Sequence, residues 1–393
     1  MNLLERESAV FFSTYKRIPL EVECGEGVYL YGKDGRRYLD LFGGLAVNAL
    51  GHCHPRIIEA VERQIRRYIH ASNFYLQDVQ VELAERLVGA TGYRRVFLCN
   101  SGTEAIEGAL KIARRWCRNR NKSVLISFEN AFHGRTMGAL SAMDREKYRG
   151  GFGPLLPGFL SVPFNDPEAL RHAVDENTAA VVLEFIQGEG GVVPATEELV
   201  AELKVLQGKF GFLVIADEIQ TGLGRTGKLF AFQHYDIHPH IAAIAKSLGG
   251  GLPLGAILGS EEVAYVLEPG AHGSTFGGNP VACAAGTVLL DELLHRDLME
   301  HVAEVGAFFA GQLMKLKKDF PLLITDVRGK GLMLGMQLTQ PGDAIVDRMR
   351  EGGVLINCTA ETVLRFLPPL IISQAEIAEG VGKLREVLRE FQI

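Results

Sequence analysis

What most limits the fold of this chain is a set of short runs that are apolar throughout: Val96–Cys99, Val124–Phe128, Ala179–Ile186, Phe212–Ala216, Ile241–Ala245 and Ala256–Leu258. A half-exposed strand alternates apolar with polar residues. Unbroken runs of this length instead suit strands of a parallel sheet covered on both faces. Most are separated by enough chain for a helix, and strands alternating with helices make an α/β domain. Around this core, residues 20–48 read as short strands and turns punctuated by glycine, and residues 55–68 as an amphipathic helix with Ile57, Ile58, Val61 and Ile65 on one face. A long helix is expected over 279–295. Beyond it, helices near 298–318, 342–351 and 375–391 and strands near 331–338 and 363–367 predict a smaller α+β domain. The expected organisation is an N-terminal segment 1–48, a large domain 49–296 and a small domain 297–393.

In such sheets ligands bind at the carboxyl ends of the strands, so the polar residues that follow each run are where chemistry belongs. Phe212–Ala216 ends in Asp217-Glu218-Ile219-Gln220, and Ile241–Ala245 ends in Lys246. An aspartate at a strand end is often only a helix cap. A lysine directly after a buried strand is costly unless it pairs or reacts. Together the two supply what pyridoxal-phosphate chemistry requires: an amine to form an imine, and a carboxylate to keep the pyridine nitrogen protonated so that the ring draws electrons.

The run Val96–Cys99 leads into Asn100-Ser101-Gly102-Thr103-Glu104 and a helix through Trp116. Ser101 or Thr103 could merely cap that helix, but the unpaired amides and dipole there also suit a phosphate. Gly273-Ser274-Thr275-Phe276-Gly277-Gly278 is a second phosphate candidate. After Val124–Phe128 come Phe132, able to lie on a flat ring, and Arg135, able to fork a carboxylate. Ala179–Ile186 contains Glu184 and runs into Gln187-Gly188-Glu189-Gly190-Gly191, where either carboxylate could instead pair with an arginine.

Other chemistries fit less well. Gly222-Leu223-Gly224-Arg225-Thr226-Gly227 matches a dinucleotide fingerprint, yet no helix start follows it, and the acid expected about twenty residues on is replaced by Lys246. His52-Cys53-His54 is too tightly spaced to wrap one metal ion, and no second pair is near. A net charge of -6 argues against nucleic acid or an anionic membrane as partner, and no apolar run spans a bilayer. The charged start Met1–Glu7 lacks a signal peptide's apolar stretch. The six cysteines form no CxxC pair, so free thiols in a reducing cytoplasm are expected.

With these residues in place, the chain resembles the class III aminotransferases of pyridoxal-phosphate fold type I, most closely the acetylornithine aminotransferases, from about Phe12 to Ile372. The matching stretches include Gly44–His52, Asn100–Glu104, Phe132–Thr136, Gln187–Gly191, Asp217–Gln220 and Val363–Pro369. The resemblance implies that Lys246 attaches the cofactor and Asp217 binds its pyridine nitrogen. It puts Gln220 by the ring hydroxyl, and Ile219 and Phe132 on the two ring faces. Ser101, Gly102 and Thr103 would hold the phosphate, joined by Thr275 from the partner of an obligate homodimer; His133, Glu184 and Ser274 complete the cofactor set. Arg135 would take the donor's distal carboxylate and Arg365 that of glutamate or 2-oxoglutarate, with Glu189 covering Arg365 when another substrate is bound.

The implied reaction moves the terminal amine of an N-acylated ornithine, N-acetylornithine first, to 2-oxoglutarate. Ornithine, succinylornithine and 4-aminobutyrate are the alternatives as donor. A pyridoxal-phosphate mutase or decarboxylase, a nicotinamide dehydrogenase and a silent binding relative are the rivals in kind. Ornithine aminotransferases resemble this chain but carry a tyrosine, which helps hold a free α-amino group, where Leu45 stands. Four further positions depart from the family pattern: Ile106, Phe185, His240 and Ala243.

Overall fold

The structure, a computed structural model, describes residues 2–391. Its centre is a seven-stranded sheet in the spatial order Arg95–Cys99, Gly255–Gly259, Ile241–Ile244, Leu213–Asp217, Thr178–Leu183, Val124–Phe128 and Phe159–Val162. Five of these strands, from Ile241–Ile244 to Phe159–Val162, run parallel to one another. Gly255–Gly259 is antiparallel to both of its partners, so the sheet is mostly but not wholly parallel. Every residue of Thr178–Leu183, Leu213–Asp217 and Ile241–Ile244 is buried. At about 1.5–3 kcal/mol for each fully buried large aliphatic side chain, these strands are a main source of stability.

Helix Gly102–Trp116 covers one face, with eight buried residues and a cap in which Ser101 Oγ accepts from the Glu104 amide at 3.3 Å. Helix Pro280–His295 starts at a cap by Asn279, with proline in the first turn where the missing N–H costs nothing. It leads to Leu298–Asp319, which packs on a second sheet in the order Ile324–Lys330, Met333–Leu338, Val363–Phe366, Asn357–Thr359. A third sheet joins both ends of the chain: Val22–Glu26, Tyr29–Gly32 and Arg37–Asp40 are extended by Val354–Leu355, parallel to Arg37–Asp40.

Four expectations from sequence need correction. The run Ala179–Ile186 is not one strand. It leaves the sheet at Leu183, and Ile186–Gln187 forms a separate hairpin with Val193–Pro194. The edge strand Phe159–Val162 was not expected, because it is four residues long and only Val162 in it is buried. Ile324–Lys330 also escaped, since only its first residue is buried. Helix Pro55–Arg67 buries Ile57, Ala60 and Gln64, whereas Ile58 and Ile65 are 42% and 44% exposed, so the expected apolar face is split. No helix among the described residues is long and apolar enough to cross a membrane.

Candidate active site

Leu213–Asp217 and Ile241–Ile244 are neighbours in the sheet, in a register that sets Asp217 beside Ala243. Lys246 follows two residues after the second strand ends, so the two sequence candidates open into one cavity of about 230 Å³. Its other walls come from four further segments: Gly102 and Thr103 at the helix start, Phe132–Arg135 after Val124–Phe128, Glu184, and Ile219 with Gln220. The residues that follow the carboxyl ends of these strands thus meet at one cavity, where the carboxyl-edge rule places ligands. A larger hollow of about 420 Å³ lies between helices Pro55–Arg67, Asp78–Thr91 and Pro280–His295, but it is lined by ion pairs such as Arg67–Asp78 and Arg86–Asp291 and is remote from the strand ends.

Lys246 has φ of 50°, the left-handed region that a lysine avoids unless its surroundings impose it. Burial, with the charge of Arg365 adding to it, brings its ammonium down to about 8. A neutral amine is therefore available near physiological pH. Asp217 is 3% exposed. Its Oδ2 lies 2.7 Å from His133 Nδ1, while Oδ1 accepts from the Ile219 amide at 3.1 Å. Burial opposes charge on His133, but the hydrogen bond and charge of Asp217 prevail and raise it. His133 Nε2 is buried with no partner among the described residues, a polar atom inside the site left for something else to satisfy.

Glu184 ties two loops together: Oε2 accepts from the Phe132 amide at 2.9 Å and Oε1 from the Gly188 amide at 3.0 Å. Burial and the nearby Asp217 charge push its carboxyl up to about 7. Thr103 joins the helix start to the loop carrying Arg135. Its Oγ1 accepts from the amides of Arg135 and Thr136 at 3.2 Å each and shares a 2.8 Å hydrogen bond with Thr136 Oγ1. The loop comes this close because residue 134 is glycine: at φ of 135°, a Cβ there would lie 2.3 Å from Thr103 Oγ1. Arg135 is exposed at the cavity wall, its guanidinium 4.4 Å from the Tyr148 ring centre and 5.5 Å from that of Phe132. It is held by ring faces, which leaves its donors open to an anion.

Arg365 and Glu189 form a second charge pair. Arg365 is 1% exposed, and its Nη1 donates to Glu189 Oε1 at 2.6 Å and to Gln220 Oε1 at 3.2 Å. Burial works against the Glu189 carboxylate, but Arg365 and, behind it, Lys246 hold it below its usual value. Gln220 thereby links the cavity to Arg365. Neither partner of the pair lines the cavity itself, and nor do Ser101, Ser274 and Thr275. Ser101 is occupied as the helix cap. Ser274 Oγ accepts from Asn100 Nδ2 and the Gly277 amide, and Thr275 is exposed. Tyr148 and Thr136 were not foreseen. Tyr148 lies on a four-residue helix too short to show periodicity, and no local pattern announces the Thr136 bond to Thr103.

The donor set fits pyridoxal phosphate. It offers a depressed amine, a buried carboxylate, an apolar wall at Ile219, an aromatic one at Phe132, and amides at a helix start. The departures from the family pattern lie elsewhere. Ile106 and Ala243 are fully buried, and Phe185 packs on Tyr235 at 5.4 Å. His240 accepts from the Val214 amide at 2.9 Å and meets Glu262 at 3.3 Å. All six cysteines are free, and no cluster among the described residues could hold a metal ion.

Known proteins resemble this chain over nearly its whole length. The family model described as aminotransferase class-III matches residues 11–388. The acetylornithine aminotransferase of Aquifex aeolicus is 47% identical over 379 residues, 96% of this chain and 99% of that protein. Among solved structures, the ornithine aminotransferase of Toxoplasma gondii superposes with a TM-score of 0.94 at 34% identity, covering 99% of this chain and 94% of that one. The N-acetylornithine aminotransferase of Stenotrophomonas maltophilia superposes with a TM-score of 0.85 at 35% identity, covering 99% of each.

Proposed function

The chain belongs to the class-III aminotransferases, a pyridoxal-phosphate-dependent family of fold type I, and from that premise we propose that it moves the terminal amine of N-acetylornithine to 2-oxoglutarate, giving N-acetylglutamate semialdehyde and glutamate. The observation that carries this reading is the convergence of Lys246 and Asp217 on one cavity, with an open arginine, Arg135, on its wall and a covered one, Arg365, behind it. A transaminase for two unlike substrates needs two carboxylate sites, of which one can be withdrawn.

When bound, the cofactor supplies an electron sink for the bonds at the amine-bearing carbon. Lys246 would hold it covalently, and its free amine would move the proton at the amine-bearing carbon. Such acid–base steps contribute about 10²–10⁴ in rate. Asp217 would keep the pyridine nitrogen protonated, with His133 fixing that carboxylate. Phe132 and Ile219 would bear on the ring faces, Gln220 and Glu184 would serve its polar edge, and Gly102, Thr103 and Ser101 would receive the phosphate. Thr275 would join them from the second subunit of a homodimer, with Ser274 completing the set. Support for the dimer is an apolar hollow of about 350 Å³ beside them, lined by Ile65, Ile69, Leu252, Phe276 and Val281, with Phe276 59% exposed.

Arg135 binds the donor's carboxylate at the end far from the reacting amine. Glu189 covers Arg365 while the donor is present and leaves it for 2-oxoglutarate. Leu45, where ornithine aminotransferases carry tyrosine, gives a free α-ammonium no polar partner, which favours the acetylated amine. A second reading, ornithine as donor, rests on the TM-score of 0.94 to an ornithine aminotransferase. The experiment is initial-rate kinetics of the holoenzyme with N-acetylornithine and 2-oxoglutarate, following glutamate. Parallel double-reciprocal lines are expected. Absence of glutamate, or a converging pattern, contradicts the proposal.

A further inference from the structure

Glu189 stands near the tip of the hairpin formed by Ile186–Gln187 and Val193–Pro194. Gly188, Gly190 and Gly191 surround it, so its main chain would by itself be unusually free. That freedom is removed at several atoms, and two of the holds fall on one of them. The Glu189 carbonyl oxygen accepts from Thr359 Oγ1 at 2.8 Å and from Arg145 Nη1 at 3.0 Å. The two donors arrive from different parts of the fold. Arg145 caps the short helix Glu146–Arg149, which carries the Tyr148 ring beneath Arg135. Thr359 ends the strand Asn357–Thr359, paired with the strand Val363–Phe366 that bears Arg365. Arg328 Nε adds a third tether two residues on, donating to the Gly191 carbonyl at 2.9 Å.

We propose that Thr359 and Arg145 are positioning residues that hold the main chain of Glu189 where its carboxylate covers Arg365, and so set how readily the site admits the dicarboxylate substrate. The inference rests on the covering role given to Glu189 above. With the carbonyl fixed, closing over Arg365 requires only a side-chain rotation. Without the anchors, closing must also order the main chain of Glu189 and Gly190 between the holds on Gly188 and Gly191, and the entropy of that stretch favours the open arrangement. Removing an anchor therefore exposes Arg365 more of the time and strengthens binding of 2-oxoglutarate.

The test is the KM and kcat of holoenzyme variants for 2-oxoglutarate and N-acetylornithine. Thr359→Val, nearly isosteric, and Arg145→Met should each lower the KM for 2-oxoglutarate about three- to tenfold, the span of one net hydrogen bond. The change should fall on KM rather than kcat, and Thr359→Ser should restore the wild-type value. Glu189→Gln should lower the same KM at least as far. If Glu189→Gln leaves it unchanged, the covering role fails and the anchors with it. If Glu189→Gln lowers it while the KM of Thr359→Val and Arg145→Met is unchanged or higher, the anchors alone are overturned. Should Thr359→Val not fold, Arg145→Met decides between these outcomes.

Discussion

Asp217 and Glu189 are both carboxylates paired with a nitrogen base in one site, yet they are built in opposite ways. The Asp217 and His133 side chains are 2% and 0% exposed, and Asp217 is held at the end of a fully buried strand. Arg365 is as deeply buried, but the Glu189 side chain is 23% exposed and sits on a hairpin loop among glycines. The first pair is fixed by the sheet. The second is fixed at one end only, and its acid can leave without unmaking any core. A buried charge left alone is expensive, so a partner that leaves must be replaced by another anion. On the proposed mechanism, this difference separates the part of the site used in every half-reaction from the part used in one.

The largest effect expected lies at the residue both half-reactions share. Lys246→Ala should lose about 10²–10⁴ in turnover from the proton-transfer step alone, and covalent attachment of the cofactor with it. Borohydride reduction of the wild-type holoenzyme followed by peptide mapping should mark Lys246. A label on any other lysine would sink the assignment. Asp217→Asn, which keeps the shape and removes the charge, should slow both half-reactions. Asparagine carries no charge to keep the pyridine nitrogen protonated, so the electron sink would fail in both directions. Half-reactions near wild-type speed would reduce Asp217 to a structural cap and erase the contrast.

Arg365→Ala should be milder and one-sided. A hydrogen bond to a charged group contributes about 1.5–3 kcal/mol, so the half-reaction with 2-oxoglutarate should weaken about ten- to hundredfold while the donor half-reaction keeps its rate. Loss confined to the donor half would mean that Arg135 and Arg365 exchange roles. The smallest effect concerns pH. Burial makes the Lys246 amine neutral above about 8 rather than 10.5. The rate at which apo-protein takes up the cofactor covalently should climb with pH up to about 8 and then level. A rate that keeps climbing towards pH 10 would show an ordinary lysine.

The fixed half of the site was legible in the sequence and the removable half much less so. Asp217 and Lys246 announce themselves because an apolar run ends in a charge, a local signal that marks a strand mouth. The bond between Asp217 and His133 joins residues 84 apart, and nothing local foretells it. Arg365 and Glu189 lie 176 apart: Glu189 stood out only as a carboxylate among glycines that could pair with some arginine, and Arg365 as its partner came from the family resemblance. The sheet was read for the same reason that its strands are stable: continuous burial. Edge and half-exposed strands such as Phe159–Val162 and Ile324–Lys330 carry a weaker pattern and were missed.

The donor is the claim on which the account turns. It is tested most directly by kcat/KM for N-acetylornithine, ornithine and 4-aminobutyrate, each with 2-oxoglutarate as acceptor and glutamate as the product followed. N-acetylornithine should lead by about tenfold or more, since Leu45 would offer a free α-ammonium no hydrogen-bond partner where ornithine aminotransferases carry tyrosine. If ornithine or 4-aminobutyrate equals or exceeds it, the proposed donor is wrong, although the chain would remain a class-III aminotransferase.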